Sequence, residues 1–286
     1  MADRLSAQES RILLVADPGS ASTAVVASLV SELLRAGLVE DAVQTIASSQ
    51  WSLPGPEVAV VVPIGAAALR AVQNRIANRA VVALQVSRAA VEAGPWLTVR
   101  GAGDFAAVVL DQPLPRWMAL VDIVLPARRE VGVLLGPSTA GLLKPLEKAA
   151  ADRNLNLHVE HLGAEAQLIP ALERVLARAN VVLALPDPLV HNRNTVQPLL
   201  LTTYRAGVPL VGYSEAYTNA GAILSLHTVP EQVGRQGAEV VLSVLRGRPP
   251  AGLLAPRQFR ISANPTVARS LGIVLPPVGE IEDRIP

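Results

Sequence analysis

Cysteine is absent from this 286-residue chain, which excludes thiol catalysis, cysteine-ligated metal and a disulfide scaffold while leaving the compartment open. Aromatic residues make up only 3%, too few for base-stacking platforms. An excess of either charge is missing too. Lys and Arg number 25 against 24 Asp and Glu, a net +1, so there is no basic field of the kind nucleic acid needs as a partner. The small clusters at Arg128-Arg129 and Arg246–Arg248 read as solvated loop ends. No apolar run reaches the roughly 18 residues that span a bilayer. Met1–Ser10 holds no apolar signal core, and Ile12–Ala16 is too short to be one before Asp17-Pro18 interrupts it. The expectation is a soluble protein or a mature fragment.

Catalytic signatures are missing as well. No Gly-x-Gly-x-x-Gly follows a strand, Gly101-Ala-Gly103 and Gly132…Gly136 included, and there is no Walker loop. No serine sits in a Gly-x-Ser-x-Gly elbow, and Ser138-Thr139 has no adjacent base. His158 and His161 stand at odd spacing on one strand and so point to opposite faces, while His191 and His227 are single. No metal site, no cofactor and no enzyme activity is expected.

What is present is one pattern written twice. Arg11–Ala16 is a short apolar strand, followed by the small polar loop Asp17–Ser22 and an amphipathic helix that stops at Gly37. Glu130–Leu135 repeats it, followed by Gly136–Gly141 and a helix starting near Ser138 and reaching about Arg153. Further apolar strands are expected at Ala42–Ala47, Val58–Val62, Ala80–Val86, Leu97–Val99, Ala106–Leu110, Leu155–His161, Val181–Leu185, Pro209–Tyr213, Ala222–His227 and Phe259–Ser262. Helical spacing runs over Ala66–Ala77, Pro115–Val124, Ala166–Ala179, Asn194–Ala206 and Glu231–Leu245. Asn264-Pro265 opens a short helix to Leu271, and the chain from Pro276 reads as a fraying tail. Continuous apolar strands separated by helices imply parallel sheets covered on both faces, here in two α/β lobes.

Ligands of open α/β sheets meet the loops beyond the carboxyl ends of the strands. That rule selects Ser20, Ser22, Gly65, Ser87 and Arg88 in the first lobe, and Ser138, Thr139, Asp187, His191, Tyr213 and Glu215 in the second. The serine pairs stand where helices begin, so they either cap those helices or leave amides free for a carboxylate. Arg88 reads as a bidentate partner for an anion or as a solvated surface arginine. Asp187, between two prolines, suits a ligand ammonium or a turn, and Glu215 is a second ammonium candidate. Tyr213 and Tyr217 fit stacking on a flat ligand or ordinary packing, and Trp51 and Trp96 stand in loops that could line a cleft.

Val131–Ser138, Val181–Asp187, Gly221-Ala222, Gly237…Leu245-Arg-Gly247 and the closing Phe259–Asn264…Ala268–Pro276 follow one another in an order that resembles a known family. It is the ABC-transporter substrate-binding protein family that includes tryptophan- and other aromatic-amino-acid-binding receptors. The resemblance implies the type I periplasmic binding protein fold: α/β, with two Rossmann-like lobes of parallel sheet joined by three hinge crossovers. These fall near Pro126–Glu130, Ala222–His227 and Pro250–Arg257. The N-terminal lobe would then hold 1–127 plus 226–252, and the C-terminal lobe 128–225 plus 253–286. The resemblance further implies a monomeric, exported, periplasmic receptor whose signal peptide preceded this chain. Such a receptor closes two lobes around a small-molecule ligand, an amino acid or similar zwitterion or anion, and delivers it to an ABC permease. The alternative is a sensory or regulatory module on the same fold that signals to a membrane sensor partner without transport. The ligand loops depart from the family pattern. Ser87-Arg88 stands where many members have Asp-Pro, Asp187-Pro188 where they have an acidic residue and asparagine, and the loop Asp17–Ser22 is smaller than usual.

Overall fold

Strand and helix alternate along nearly the whole chain. The computed structural model describes residues 11–73, 79–97, 105–248 and 252–286. In chain order the elements are β1 (Arg11–Ala16), α1 (Ser20–Arg35), β2 (Val43–Ala47), β3 (Val58–Ile64), α2 (Ala66–Val72), β4 (Ala80–Val86), α3 (Arg88–Glu92), β5 (Phe105–Val109) and α4 (Leu114–Val124). Next come β6 (Glu130–Leu135), α5 (Leu143–Ala151), β7 (Asn156–His161), α6 (Leu168–Leu176), β8 (Val181–Leu183), α7 (Val196–Arg205), β9 (Leu210–Gly212), α8 (Glu215–Ala220) and β10 (Leu224–His227). The chain ends with α9 (Pro230–Leu245), β11 (Gly252–Leu254), β12 (Arg260–Ala263), α10 (Pro265–Ser270) and α11 (Val278–Arg284). Two compact units result. One takes the chain up to Asp111 together with Thr228–Phe259, the other Gln112–His227 together with Arg260–Pro286.

The first unit is a six-stranded sheet in the order β11-β5-β4-β3-β1-β2, with every neighbouring pair parallel. Its inner strands are mostly apolar because both faces are covered, while the edge strand β2 exposes Gln44 and Thr45. Ile12, Leu14, Val60, Val62, Val82 and Leu84 face one side, where Val25, Leu29 and Leu33 of α1 meet Val233 and Val241 of α9. Leu13, Val15, Val61, Val81 and Ala83 face the other, packed on Ala68, Leu69 and Val72 of α2 and on Trp96. Helix α9 lies against α1 closely enough that a Cβ on Gly234 would stand 2.7 Å from the carbonyl oxygen of Val25.

The second unit repeats the plan in the order β12-β10-β9-β8-β6-β7. All of its pairs are parallel except β10 with β12. Leu134, Val182, Ala184 and Leu210 meet Leu172 and Val175 of α6, Leu199 of α7 and Tyr217 of α8.

Several expectations need correction. Helix α5 starts at Leu143, not near Ser138, because a turn and the 3-10 helix Ala140–Leu142 come first. Helix α4 packs against α5 and α11 in the second unit rather than closing the first lobe. The segment expected to be a fraying tail holds α11, whose Ile281 is fully buried and whose Glu282 Oε1 accepts from the Ile261 amide at 2.8 Å. Two short helices, α3 and α8, occupy stretches that read as loop, and β11 pairs with β5 where a plain crossover was expected. Leu97 closes the 3-10 helix Pro95–Leu97 instead of opening a strand. The rest of the expected strand Leu97–Val99, the last turn of the helix Ala66–Ala77 and the start of the crossover Pro250–Arg257 lie outside the described residues.

Candidate functional site

At the carboxyl edge of the first sheet, helix starts compete for polar groups. Asp17, just past β1, turns across to the neighbouring strand end, where its carboxylate accepts from the amides of Ala67 at 2.8 Å and Ala68 at 2.7 Å. These first-turn amides of α2 have no partner within the helix, and the carboxylate also meets the positive end of the helix dipole. Gly65 makes the approach possible, since its φ is +104° and a Cβ there would collide with the Asp17 carboxylate. Helix α3 is closed twice. Ser87 Oγ accepts from the Ala90 amide at 3.2 Å, and Asp111 Oδ2 from the Arg88 amide at 2.7 Å. Burial drives the Asp111 carboxyl above its usual range, opposed by the Arg88 amide and guanidinium.

Helix α1 differs: its N-cap is Gly19 and no side chain caps it. Ser20 is exposed in its first turn, while Ser22 shares the buried stripe of Val25, Leu29 and Leu33. Neither serine caps the helix. The Arg88 guanidinium reaches Glu92 one turn on, at 3.5 Å. Trp96 stacks on Phe105 inside the core, with ring centroids 4.9 Å apart, so it lines no loop. Trp51 is half-buried just beyond β2.

The second edge uses the same device from the opposite strand. Asp187, beyond β8, is buried and takes a bond from Thr139 Oγ1 at 2.9 Å and one from the Leu189 amide at 2.9 Å. Thr139 Oγ1 accepts in turn from the Gly136 amide at 3.1 Å, and a Cβ at Gly136 would strike the Asp187 carboxylate. In both units, then, an aspartate and a glycine lock together the ends of two neighbouring strands, β1 with β3 and β6 with β8. Ser138 is exposed in the turn before α5, and Glu215 is exposed at the start of α8.

Next to Asp187 lies an aromatic cluster. The His191 amide donates to the Asp187 carbonyl at 2.8 Å, and His191 Nδ1 meets the Tyr217 hydroxyl at 2.6 Å. Tyr213 lies edge-on to His191, with centroids 5.7 Å apart, and tilted against Tyr217 at 5.0 Å. Desolvation lowers His191 from the ordinary histidine value of 6.5 to about 3, so the ring is neutral despite the nearby Asp187. Burial raises the Tyr217 phenol as well, keeping its proton in place.

Four buried side-chain polar atoms among the described residues have no hydrogen-bond partner: Trp51 Nε1, Gln85 Oε1, His158 Nδ1 and His191 Nε2. Gln85 stands next to the last residue of β4, and Trp51 and His191 lie in the segments that follow β2 and β8. Buried polar groups are almost always paired, and exceptions gather where a site has other uses for them. Among the described residues no group of His, Cys, Asp and Glu is placed to hold a metal ion.

Residues 40–277 match the family model described as ABC transporter substrate binding protein. The chain belongs to that family. Solved structures agree on the fold, although their sequences are distant. A conserved domain protein from Vibrio cholerae O1 biovar El Tor is 19% identical, with a TM-score of 0.66 and 97% of this chain and 98% of that one covered. The ABC domain from Streptococcus pneumonia in complex with L-Trp is 14% identical, with a TM-score of 0.67 and coverage of 96% and 98%. The ligand-free, open structure of a Clostridium difficile substrate binding protein with adhesive properties is 14% identical, with a TM-score of 0.70 and coverage of 94% and 96%. No curated protein matches the sequence. Two six-stranded, mostly parallel sheets with flanking helices give this substrate-binding protein the type I periplasmic binding protein-like fold. No helix among the described residues is long and apolar enough to cross a membrane.

Within this substrate-binding protein, the residues chosen from the sequence divide in two. Thr139, Asp187, His191 and Tyr213 come together with Tyr217 in the second unit, while Ser138 and Glu215 stand exposed nearby in sequence. In the first unit Gly65, Ser87 and Arg88 belong to the locked helix starts, and Ser20 and Ser22 to the uncapped α1. Sequence reasoning missed Asp17, Gln85 and Asp111. The signal for the two aspartates was their position just past β1 and β5. A separate groove of about 570 Å³ on the second unit is lined by Val196, Leu200, Leu201, Tyr204, Ala220 and Val267 among others, and none of the residues chosen from the sequence reaches it.

Proposed function

We propose that the protein is a solute-binding receptor working outside the cytoplasmic membrane. It takes a small organic molecule, an amino acid or a similar zwitterion or anion, at the carboxyl-end loops of its two units. Hinge closure is its response to ligand, and an ABC permease is its client. The observation that carries the reading is the His191–Tyr213–Tyr217 cluster beyond β8 and β9, in a chain of the substrate-binding family. Tyr213 is half-buried and backed by the buried Tyr217 and the neutral His191, an aromatic surface that suits a flat or aliphatic side chain. The first unit contributes the uncapped amides at Ser20–Ser22, whose charge sense favours a carboxylate. A structural neighbour bound to L-Trp supports the amino-acid class.

Titration calorimetry against the twenty standard amino acids and their deaminated acids tests this. Saturable binding of at least one, with a Kd of about 10 μM or tighter, is the expected outcome, worth roughly 7 kcal/mol. Heat traces flat for the whole set would remove the amino-acid reading.

A further inference from the structure

Strand β4 does not run regularly to its end. Against β5, Ala83 pairs with Ala107 and Val86 with Val109, so β4 spends three residues where β5 spends two. The extra residue is Gln85, at φ +56°, one of two non-glycine residues with positive φ among those described. The packing shows the same insertion. Val82 and Leu84 belong to the face covered by α1 and α9, and Ala83 to the face covered by α2. Regular alternation would return Val86 to the first face, yet it packs on the second. Gln85 has therefore been pushed out of the alternation by a bulge, a device that re-aims one side chain at the rim of a sheet.

A glycine would hold this conformation without strain, and a glutamine does not. Strain of this kind persists where the residue has a use. The amide of Gln85 also carries one of the unpartnered buried oxygens, Oε1. Its flanks are fully engaged. The Leu84 carbonyl accepts from the Gly65 amide at 3.0 Å and the Val86 carbonyl from the Leu110 amide at 2.9 Å, and Ser87 caps α3. The carboxylates at this edge are committed as well, Asp17 to α2 and Asp111 to the start of α3.

We infer that Gln85 is a specificity residue of the solute site, its side-chain carbonyl accepting an N–H from the ligand's ammonium or amide group. The neighbouring Asp17 and Asp111 carboxylates already accept from helix-start amides, whereas the Gln85 carbonyl has no partner and can take a nitrogen donor. The assignment rests on the solute-binding reading above and deepens it.

The test uses the full chain as wild type, Gln85→Leu and Gln85→Gly. Each is titrated with the tightest of the standard amino acids and with the same molecule lacking its amino group. Wild type is expected to prefer the amine at least 100-fold. Gln85→Leu should lose at least tenfold toward the amino acid and leave the deaminated acid unchanged. Gln85→Gly should weaken binding in the same way while raising the melting temperature by about 2 °C as the strain is released. A preference for the amine that is undiminished in Gln85→Leu overturns the assignment, with the solute reading intact. A melting temperature that falls in Gln85→Gly removes its strain argument and overturns it too. Wild-type protein that binds none of the amino acids overturns the solute reading and this assignment together.

Discussion

His191 shows how burial alone sets the chemistry of a residue. Its ring is nine-tenths enclosed by its neighbours, bonded at Nδ1 to Tyr217 and held near 3 by desolvation. A histidine lowered in the folded state contributes stability that is complete above its unfolded value near 6.5. That stability drains away as pH falls from 6.5 toward 3, because the unfolded chain binds a proton the folded one refuses. The limiting slope is about 1.4 kcal/mol per pH unit. His191→Asn should cost about 2 kcal/mol at pH 7.5 through the lost Tyr217 bond and packing. The gap to wild type should then narrow by roughly 1 kcal/mol per unit below pH 6, since the variant has no such proton to refuse. Urea denaturation at stepped pH measures this, and a gap constant from pH 7.5 to 4.5 would show that His191 titrates normally. The individual residues were unevenly legible in the sequence. Asp187, His191 and Tyr213 announce themselves as polar or aromatic groups closing apolar runs. Gln85 could not be found that way. It is the one polar residue of Ala80–Val86, but it lies inside the run, closed by Val86, and neither the bulge nor its positive φ has a signature in the sequence. Asp17 and Asp111 were polar at the right places, but their partners are backbone amides, which a sequence does not display.

Among the elements, α9 is the least replaceable. It returns late in the chain to cover the same face as α1, and its Gly234 lets the two backbones approach. A Cβ there would sit 2.7 Å from the Val25 carbonyl oxygen and 2.9 Å from the Leu29 amide nitrogen. Backbone atoms cannot swing aside as a side chain can, so Gly234→Ala should push the helices apart. The cost should be roughly 2–4 kcal/mol despite alanine's better helix propensity. Chemical denaturation gives the number, and a variant as stable as wild type would mean that the interface yields freely. Long elements such as α1 and α9 were readable from their apolar stripe, because a period of 3.6 residues over four turns is hard to mimic. The five-residue α3 and six-residue α8 were not. Elements this short are stabilised by what closes their first turn and by tertiary packing rather than by their own pattern.

For the molecule as a whole, the order of the chain and the order of assembly differ. The first unit needs β11 beside β5 and α9 beside α1, and both come after the second unit's first five strands. A fragment ending at Asp111 would therefore expose Val25, Leu29, Leu33 and the sheet face beneath α9. It should unfold without a cooperative transition and bind a hydrophobic dye, as circular dichroism melts and dye fluorescence would report. A sharp melt from that fragment would mean that α9 is an ornament to the unit. Sequence periodicity could show two sheets and their apolar strands, but not which lobe α4 joins. A helix buried along most of its length reads the same whichever sheet it covers.

The late return of α9 has a consequence during synthesis. A ribosome releases roughly 5–20 residues per second, so the stretch between Asp111 and β11 keeps the first sheet incomplete for on the order of 10 s. Throughout that interval a row of valines and leucines is open to the surroundings, and the second unit cannot close until α10 and α11 have emerged. The first half is completed only at β11 and the second after it, so a nascent chain stalled short of β11 carries two unfinished cores.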